Sequence, residues 1–293
     1  MSELEEIDIE FVTPRSLDEL LLFLDEHKGE TTIVAGGTDL YLLVKREVVR
    51  PRYLIDITDI PELHYIKEDA EYVRIGASMT LTEIEKNEIV NRYFPVLVDA
   101  VKTMAARQIR NVATLAGNLA NASPAADSAP PLIVLGAKVI LQSKNNEREV
   151  PVEDLFVFVK KTIIESNEII KEIKIPKPPE AFAASFEKLG KRNALVLAIV
   201  SAAASVVREG DVIKDVRIAL GSVAPTPLRV KKAEDVLKGK TPTTELVEKA
   251  SEVVMNEVKP ISDVRASAEY RKDMARVLSR RVLLNTLKKL GWM

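Results

Sequence analysis

The feature that most constrains this chain is a glycine pair set between two apolar runs, TTIVAGGTDLYLL over Thr31–Leu43. Thr31 to Ala35 reads as a short buried strand and Leu40 to Val44 as a helix, so Gly36 and Gly37 stand at the turn between them. Two successive side chains can be missing for two reasons. One is that the chain needs a sharp bend, since glycine supplies positive φ without steric cost. Alternatively a phosphate approaches the main chain, because a Gly-rich turn opening a helix offers unpaired N–H groups to an anion. On this stretch alone the bend takes precedence and the phosphate stays open.

The flanking pattern makes a compact α/β unit. Ile7 to Val12 alternate as a strand, and Ser16 with Glu19 predicts a capping box ahead of Leu17, Leu20, Leu21 and Leu24, with Gly29 ending that helix. A strand follows at Tyr53 to Ile57. A second unit begins near Ile60, with a strand at Tyr72 to Ile75, a turn at Gly76 and a helix capped by Thr80 and Glu83. Phe94, Leu97, Val98, Val101, Met104 and Ala105 recur at helical spacing and predict one amphipathic helix that hands over to Arg107–Arg110.

Next comes NVATLAGNLANASPAADSAPP, residues 111–131, rich in small residues and without Lys or Arg. A flexible linker has no reason to exclude cations so completely. A packed loop of small residues lying against something bulky fits better. Asn118, Ser123 and Asp127 can bind the hydroxyls of a sugar or ribityl chain, or equally hold the loop's own turns. Strands then read at Val139 to Gln142 and over EIIKEIKIP. PKPP, Pro176 to Pro179, marks a boundary. Beyond it, three strands (Ala183 to Leu189, Ala198 to Val207, Val212 to Leu220) and helices near 228–238, 243–258 and 264–289 predict a three-stranded antiparallel sheet backed by helices.

Composition removes several classes. Lys plus Arg number 42 against 44 Asp plus Glu, which leaves no basic footprint for nucleic acid and no polybasic membrane face. There is no cysteine, hence no disulfide, no thiolate nucleophile and no cluster ligated by this chain. His27 and His64 stand apart from any second ligand at metal spacing. The acidic start is no signal peptide, and the longest apolar run, Ala194 to Val207, is too short to span a bilayer, so a cytoplasmic protein is expected. The G-x-G-x-x-G fingerprint, the Walker lysine, G-x-S-x-G and H-E-x-x-H are all missing. Two small-residue loops in one α/β region can still close on one elongated phosphate-bearing ligand, held by main-chain N–H groups alone. If the chain takes part in chemistry, a cofactor carries it.

TIVAGGTDL, then RQIRNVATLAGNLANASPAADSAPPLIVLGA, FEKLGKRNALVLAIVSAAA and SAEYRKDMARVLSRRVL, in that order across the whole chain, resemble the FAD-binding medium subunit of the molybdenum hydroxylases, the xanthine dehydrogenase and carbon monoxide dehydrogenase family. The resemblance implies an α+β chain: a two-part FAD-binding domain of the vanillyl-alcohol-oxidase-like (PCMH) type over 1–177, divided near residue 58, then a C-terminal domain over 178–293. It implies that Val34, Ala35, Gly36, Gly37, Thr38, Asp39 and Leu40 form a first pyrophosphate loop, and that Thr114, Gly117 and Asn118 form a second. By the same resemblance Asp127 reaches the flavin's polar chain, Ala77 lies beside the cofactor, and Lys188 and Leu189 approach the ring. One departure is Ala116, where the family usually has a glycine; a Cβ there either faces away from the phosphates or costs about 1 kcal/mol if φ must be positive.

The resemblance further implies partners: a large molybdopterin-binding subunit and a small iron–sulfur subunit, assembled as a dimer of heterotrimers. The flavin would take electrons from the partner's clusters and pass them to an acceptor, with no catalytic residue or metal in this chain. The alternatives from the residues are a self-sufficient FAD oxidoreductase and a cofactor-free scaffold.

Overall fold

The computed structural model describes residues 9–192 and 194–292, so the expected start of the first strand at Ile7 lies outside the described residues. The first unit comprises β1 (Glu10–Val12), α1 (Leu17–Glu26), β2 (Thr31–Val34), α2 (Leu40–Lys45) and β3 (Tyr53–Asp56). Its sheet is parallel, in the order β1-β3-β2, with Val34 opposite Asp56. Ser16 Oγ accepts the Glu19 amide at 3.2 Å, but Glu19 accepts from the Arg15 amide rather than from Ser16, so only half of the expected box forms. Leu17, Leu20, Leu21 and Leu24 lie on the buried face of α1, as their spacing requires.

The second unit holds β4 (Ile66–Glu68), β5 (Tyr72–Gly76), α3 (Leu81–Lys86), α4 (Glu88–Tyr93), α5 (Pro95–Thr103), α6 (Arg107–Arg110), α7 (Leu115–Ala120), α8 (Ala129–Val134), β6 (Lys138–Gln142), β7 (Glu147–Pro151), β8 (Phe156–Phe158), β9 (Lys161–Thr162) and β10 (Ile169–Pro176). Five strands form an antiparallel sheet in the order β4-β5-β10-β6-β7. Thr80 and Glu83 make the full reciprocal box at the start of α3. Two expectations change. The single amphipathic helix is broken after Thr103, where Ala105 adopts φ 41° and α6 begins anew. The small-residue stretch 111–131 is not one loop, since it contains α7 and the start of α8.

The C-terminal part comprises β11 (Phe182–Leu189), β12 (Val200–Glu209), β13 (Val212–Gly221), β14 (Leu228–Arg229), α9 (Lys231–Leu237), α10 (Thr244–Glu257) and α11 (Ala268–Lys289). The sheet has four strands, β11-β12-β13-β14, and not the expected three. The added strand pairs through Leu228 and Arg229 alone, too few residues to show an alternating pattern. Alternation along β12 explains why VSAAASV is so rich in alanine. Ala202, Ala204 and Val206 face the helices α9 to α11, whereas Ala203, opposite Ala219, packs with Ala184 against the first core. Small side chains on that face let α8 lie close, and Ser205 Oγ donates to the Val134 carbonyl at 2.8 Å. The sheet is thereby held against the first domain, with the end of β11 at the seam.

Candidate cofactor site

At that seam lies a cavity of about 670 Å³. The size is right for a bound small molecule or cofactor. One wall is the strand-to-helix turn from Val34 to Leu40, and all seven residues line it. Gly37 has φ +64°, which explains one glycine of the pair. Gly36 answers to a different demand: a Cβ there would overlap the Val112 carbonyl and come within 2.8 Å of the Ala113 nitrogen. The second glycine is therefore required by main chain from the other loop, and the two bends are in direct contact.

That other loop is placed by α3. The Leu81 amide donates to the Ala113 carbonyl at 2.8 Å, and Thr80 forms an isolated β-bridge with Thr114. Thr114 then caps α7, its hydroxyl accepting the Gly117 amide at 3.0 Å. Thr114, Gly117 and Asn118 line the cavity. Asn118 Oδ1 accepts from the Ser128 hydroxyl at 2.6 Å, tying α7 to the turn before α8. Ala116 has no positive φ, is buried in the core and does not line the cavity. Its Cβ faces away, and the departure from a glycine costs nothing at this wall. Asp39 opens α2 without capping it through its side chain and is exposed.

The floor carries charge. Asp127 Oδ2 meets Lys188 Nζ at 2.6 Å, with the two side chains only 6% and 7% exposed. Lys188 also donates to the Thr103 carbonyl at 3.1 Å. Burial pushes the Asp127 carboxyl upward, and the ammonium beside it pulls it back. Asp127 Oδ1 is buried without a partner, a polar atom left for something in the cavity.

Two expected residues lie elsewhere. Ala77 is buried in the first core, its amide bonded to the Lys171 carbonyl, and Leu189 packs on the second core; neither lines the cavity. Conversely Met104, Ala105, Ile109 and the segment Leu195–Leu197 line it without having been anticipated. Nothing local marks them, although Ala105 and Leu195 share an unusual positive φ, of 41° and 54°. His27 stacks between the rings of Phe23 and Tyr53, and His64 bridges Ser78 and Glu83. Among the described residues no cluster of potential ligands could hold a metal ion.

Two glycine-bearing bends in contact, a cradle that a Cβ would fill and a buried unpartnered carboxylate oxygen suit a cofactor with a diphosphate and a polar chain. Fold and site together define a two-domain α+β binder of a dinucleotide-type cofactor. Comparison with known proteins narrows this. Residues 6–178 match the family model described as the FAD binding domain in molybdopterin dehydrogenase, and residues 185–286 match the CO dehydrogenase flavoprotein C-terminal domain. The chain is 32% identical over 274 residues to the carbon monoxide dehydrogenase medium chain of Hydrogenophaga pseudoflava, covering 94% of this chain and 95% of that one. It is 32% identical over 272 residues to the glyceraldehyde dehydrogenase medium chain of Sulfolobus acidocaldarius, covering 93% and 96%. A solved structure of carbon monoxide dehydrogenase from Hydrogenophaga pseudoflava superposes with a TM-score of 0.92 at 32% identity, over 96% of this chain and 97% of that chain. The chain belongs to the family of FAD-binding medium subunits of the molybdenum hydroxylases, a component of oxidoreductases of the CO and xanthine dehydrogenase type.

Proposed function

We propose that this chain holds FAD in the seam cavity and serves as the electron relay of a molybdenum hydroxylase. Electrons arrive from iron–sulfur clusters of a small partner subunit and leave for an external acceptor, while substrate is oxidised on a large molybdopterin-binding subunit. The observation that carries the reading is the contact of Gly36 with Val112, which joins the two glycine-bearing bends into one cradle. FAD bound there supplies a ring able to exchange electrons singly and in pairs, chemistry that no side chain offers.

Each part of the chain has a role in this reading. Val34, Ala35, Gly36, Gly37, Thr38, Asp39 and Leu40 would hold the diphosphate together with Thr114, Gly117 and Asn118. Asp127 Oδ1 would accept from a hydroxyl of the polar chain, and the ion pair with Lys188 holds that carboxyl in place. Met104, Ile109 and Leu195–Leu197 give apolar surface against which a ring system excludes water. Asp39, Asp127 and Lys188 are the titratable groups among the lining residues, and two of these three are committed to each other. This favours a relay over a self-sufficient enzyme, which needs a free proton donor or base at the ring.

The reading extends to organisation. The FAD-binding domain of the vanillyl-alcohol-oxidase-like type runs to residue 177, with its two parts meeting near residue 58, and the C-terminal domain begins at 178. The two hydrophobic cores and the two family matches support this division. The assembly is a dimer of heterotrimers in the cytoplasm; no helix of the described residues is long and apolar enough to cross a membrane. The test is to purify the chain and record its visible spectrum with and without added FAD, then isolate it from its host. A flavin band and co-purification of a molybdopterin subunit with a Cys-rich one are expected. A colourless chain that takes up no FAD refutes the reading, and a flavin-loaded chain that purifies alone and turns over substrate replaces it with the self-sufficient enzyme.

A further inference from the structure

Arg271 is a buried cation that the flavin reading leaves without a task. It sits in the first turn of α11, only 3% exposed, where the positive end of the helix dipole disfavours a cation. Its guanidinium is divided among distant segments. Nη2 donates to Asp263 Oδ1 at 2.8 Å, and Nη1 donates to the Ile199 carbonyl at 2.6 Å and the Ser222 carbonyl at 3.2 Å. Nε is buried without a partner. A residue serving local stability alone has no need of so unfavourable a place.

The Ile199 carbonyl belongs to a segment that runs into a cavity wall, and the Ser222 carbonyl to a turn bonded to the loop of another wall. Ile199 follows Leu195–Leu197, which line the cavity, and its amide donates to the Leu189 carbonyl at 2.7 Å, one residue after Lys188. Ser222 holds φ +64°, a strained setting for a residue with a Cβ, and its amide donates to the Pro124 carbonyl at 2.7 Å. Pro124 stands immediately before Ala125 and close to Asp127, both in the lining. A Cβ added at Gly221 would stand 3.5 Å from the same carbonyl, an ordinary contact, and 2.5 Å from Ser201 Oγ.

We infer that Arg271, which touches neither cavity nor cofactor, is a positioning residue for the flavin site: one fork fixes the Leu195–Leu197 wall and, through Ser222 and Pro124, the loop that presents Asp127. The inference rests on the FAD reading above and adds to it a determinant of affinity seated in the C-terminal domain.

The test compares wild type, Arg271→Lys, Arg271→Met and Asp263→Asn as full chains by FAD titration, visible circular dichroism of the bound flavin, far-ultraviolet circular dichroism and thermal midpoint. Arg271→Lys keeps the charge but loses the planar fork. It is expected to weaken FAD binding about 10- to 100-fold, the range typical when an outer support of a bound group is removed, and to alter the flavin's visible dichroism while the fold persists. Asp263→Asn leaves both carbonyl bonds available and is expected to lower the thermal midpoint with FAD affinity unchanged. A folded Arg271→Lys chain with wild-type affinity and dichroism overturns the inference while the FAD reading stands. Wild type that takes up no FAD overturns both. Should the variants fail to fold, hydrogen exchange on the wild-type chain decides: slower exchange of the Ser222 amide on FAD binding supports the inference, and exchange indifferent to FAD overturns it.

Discussion

Replacing Gly36 and Gly37 separately by alanine distinguishes the two reasons for the pair. At Gly37 the added Cβ finds Val34 Cγ2 at 3.5 Å, an ordinary contact, and the cost is that of holding alanine at φ +64°. That amounts to about 1 kcal/mol, or roughly fivefold in FAD affinity if it falls wholly on the bound form. At Gly36 the Cβ meets the Val112 carbonyl and the Ala113 nitrogen, main-chain atoms with no rotamer to change. Relief requires the two bends to separate. Overpacking of this kind costs about 3 kcal/mol, the upper end of the usual range, which corresponds to more than about 100-fold in affinity. The assay is fluorescence titration of the flavin-free chain with FAD, paired with thermal midpoints with and without saturating FAD, so that loss of fold and loss of cradle are read separately. Gly36→Ala must be the worse variant by a wide margin. If Gly36→Ala binds FAD as well as Gly37→Ala does, the two bends are not one cradle and the reasoning fails.

Lys188→Met strands Asp127 as a buried, unpaired carboxylate and is expected to destabilise the chain by about 3–5 kcal/mol at neutral pH. Because the carboxyl then titrates still higher in the folded state than in the unfolded, stability is recovered by protonation below that raised value and lost as pH rises through it. The gap in thermal midpoint between variant and wild type should therefore shrink on acidification; a gap independent of pH speaks against the pair. Asp263 gives the opposite sign. Burial pulls its carboxyl upward, but the Arg265 and Ala266 amides and the Arg271 guanidinium outweigh this and hold it at about 2, below the ordinary 3.8. Its contribution to stability is full above the ordinary value and vanishes as pH falls through about 2. Asp263→Asn should flatten that part of an acid denaturation curve, and an unchanged curve removes Asp263 from the account.

How much the sequence disclosed depended on the range of the interaction. Caps such as Thr80 with Glu83, the hairpin joining β12 to β13, the helices after Val230 and the glycine bend itself are set by neighbours a few residues away, and these were legible. That the residues of the two bends would come together was legible too, through resemblance to a family, and they line one cavity. What lay outside local pattern was what one segment does to another. The demand on Gly36 comes from Val112, far along the chain, and the break between α5 and α6 comes from Ala105 in a backbone state that its side chain does not advertise. Lys188 was legible as a candidate, whereas its pairing with Asp127 and the contribution of Leu195–Leu197 required the sheet to be seated on the first domain. Leu189 shows the converse: it follows the wall residue Lys188 directly yet packs on a core.

The ion pair of Asp127 with Lys188 and the bond from Ser222 to Pro124 each join opposite sides of the Pro176–Pro179 boundary. A nascent polypeptide halted at that boundary owns both glycine-bearing turns yet lacks the lysine and the apolar flap that complete the pocket. Completion of the pocket therefore depends on the seating of the second half of the chain on the first.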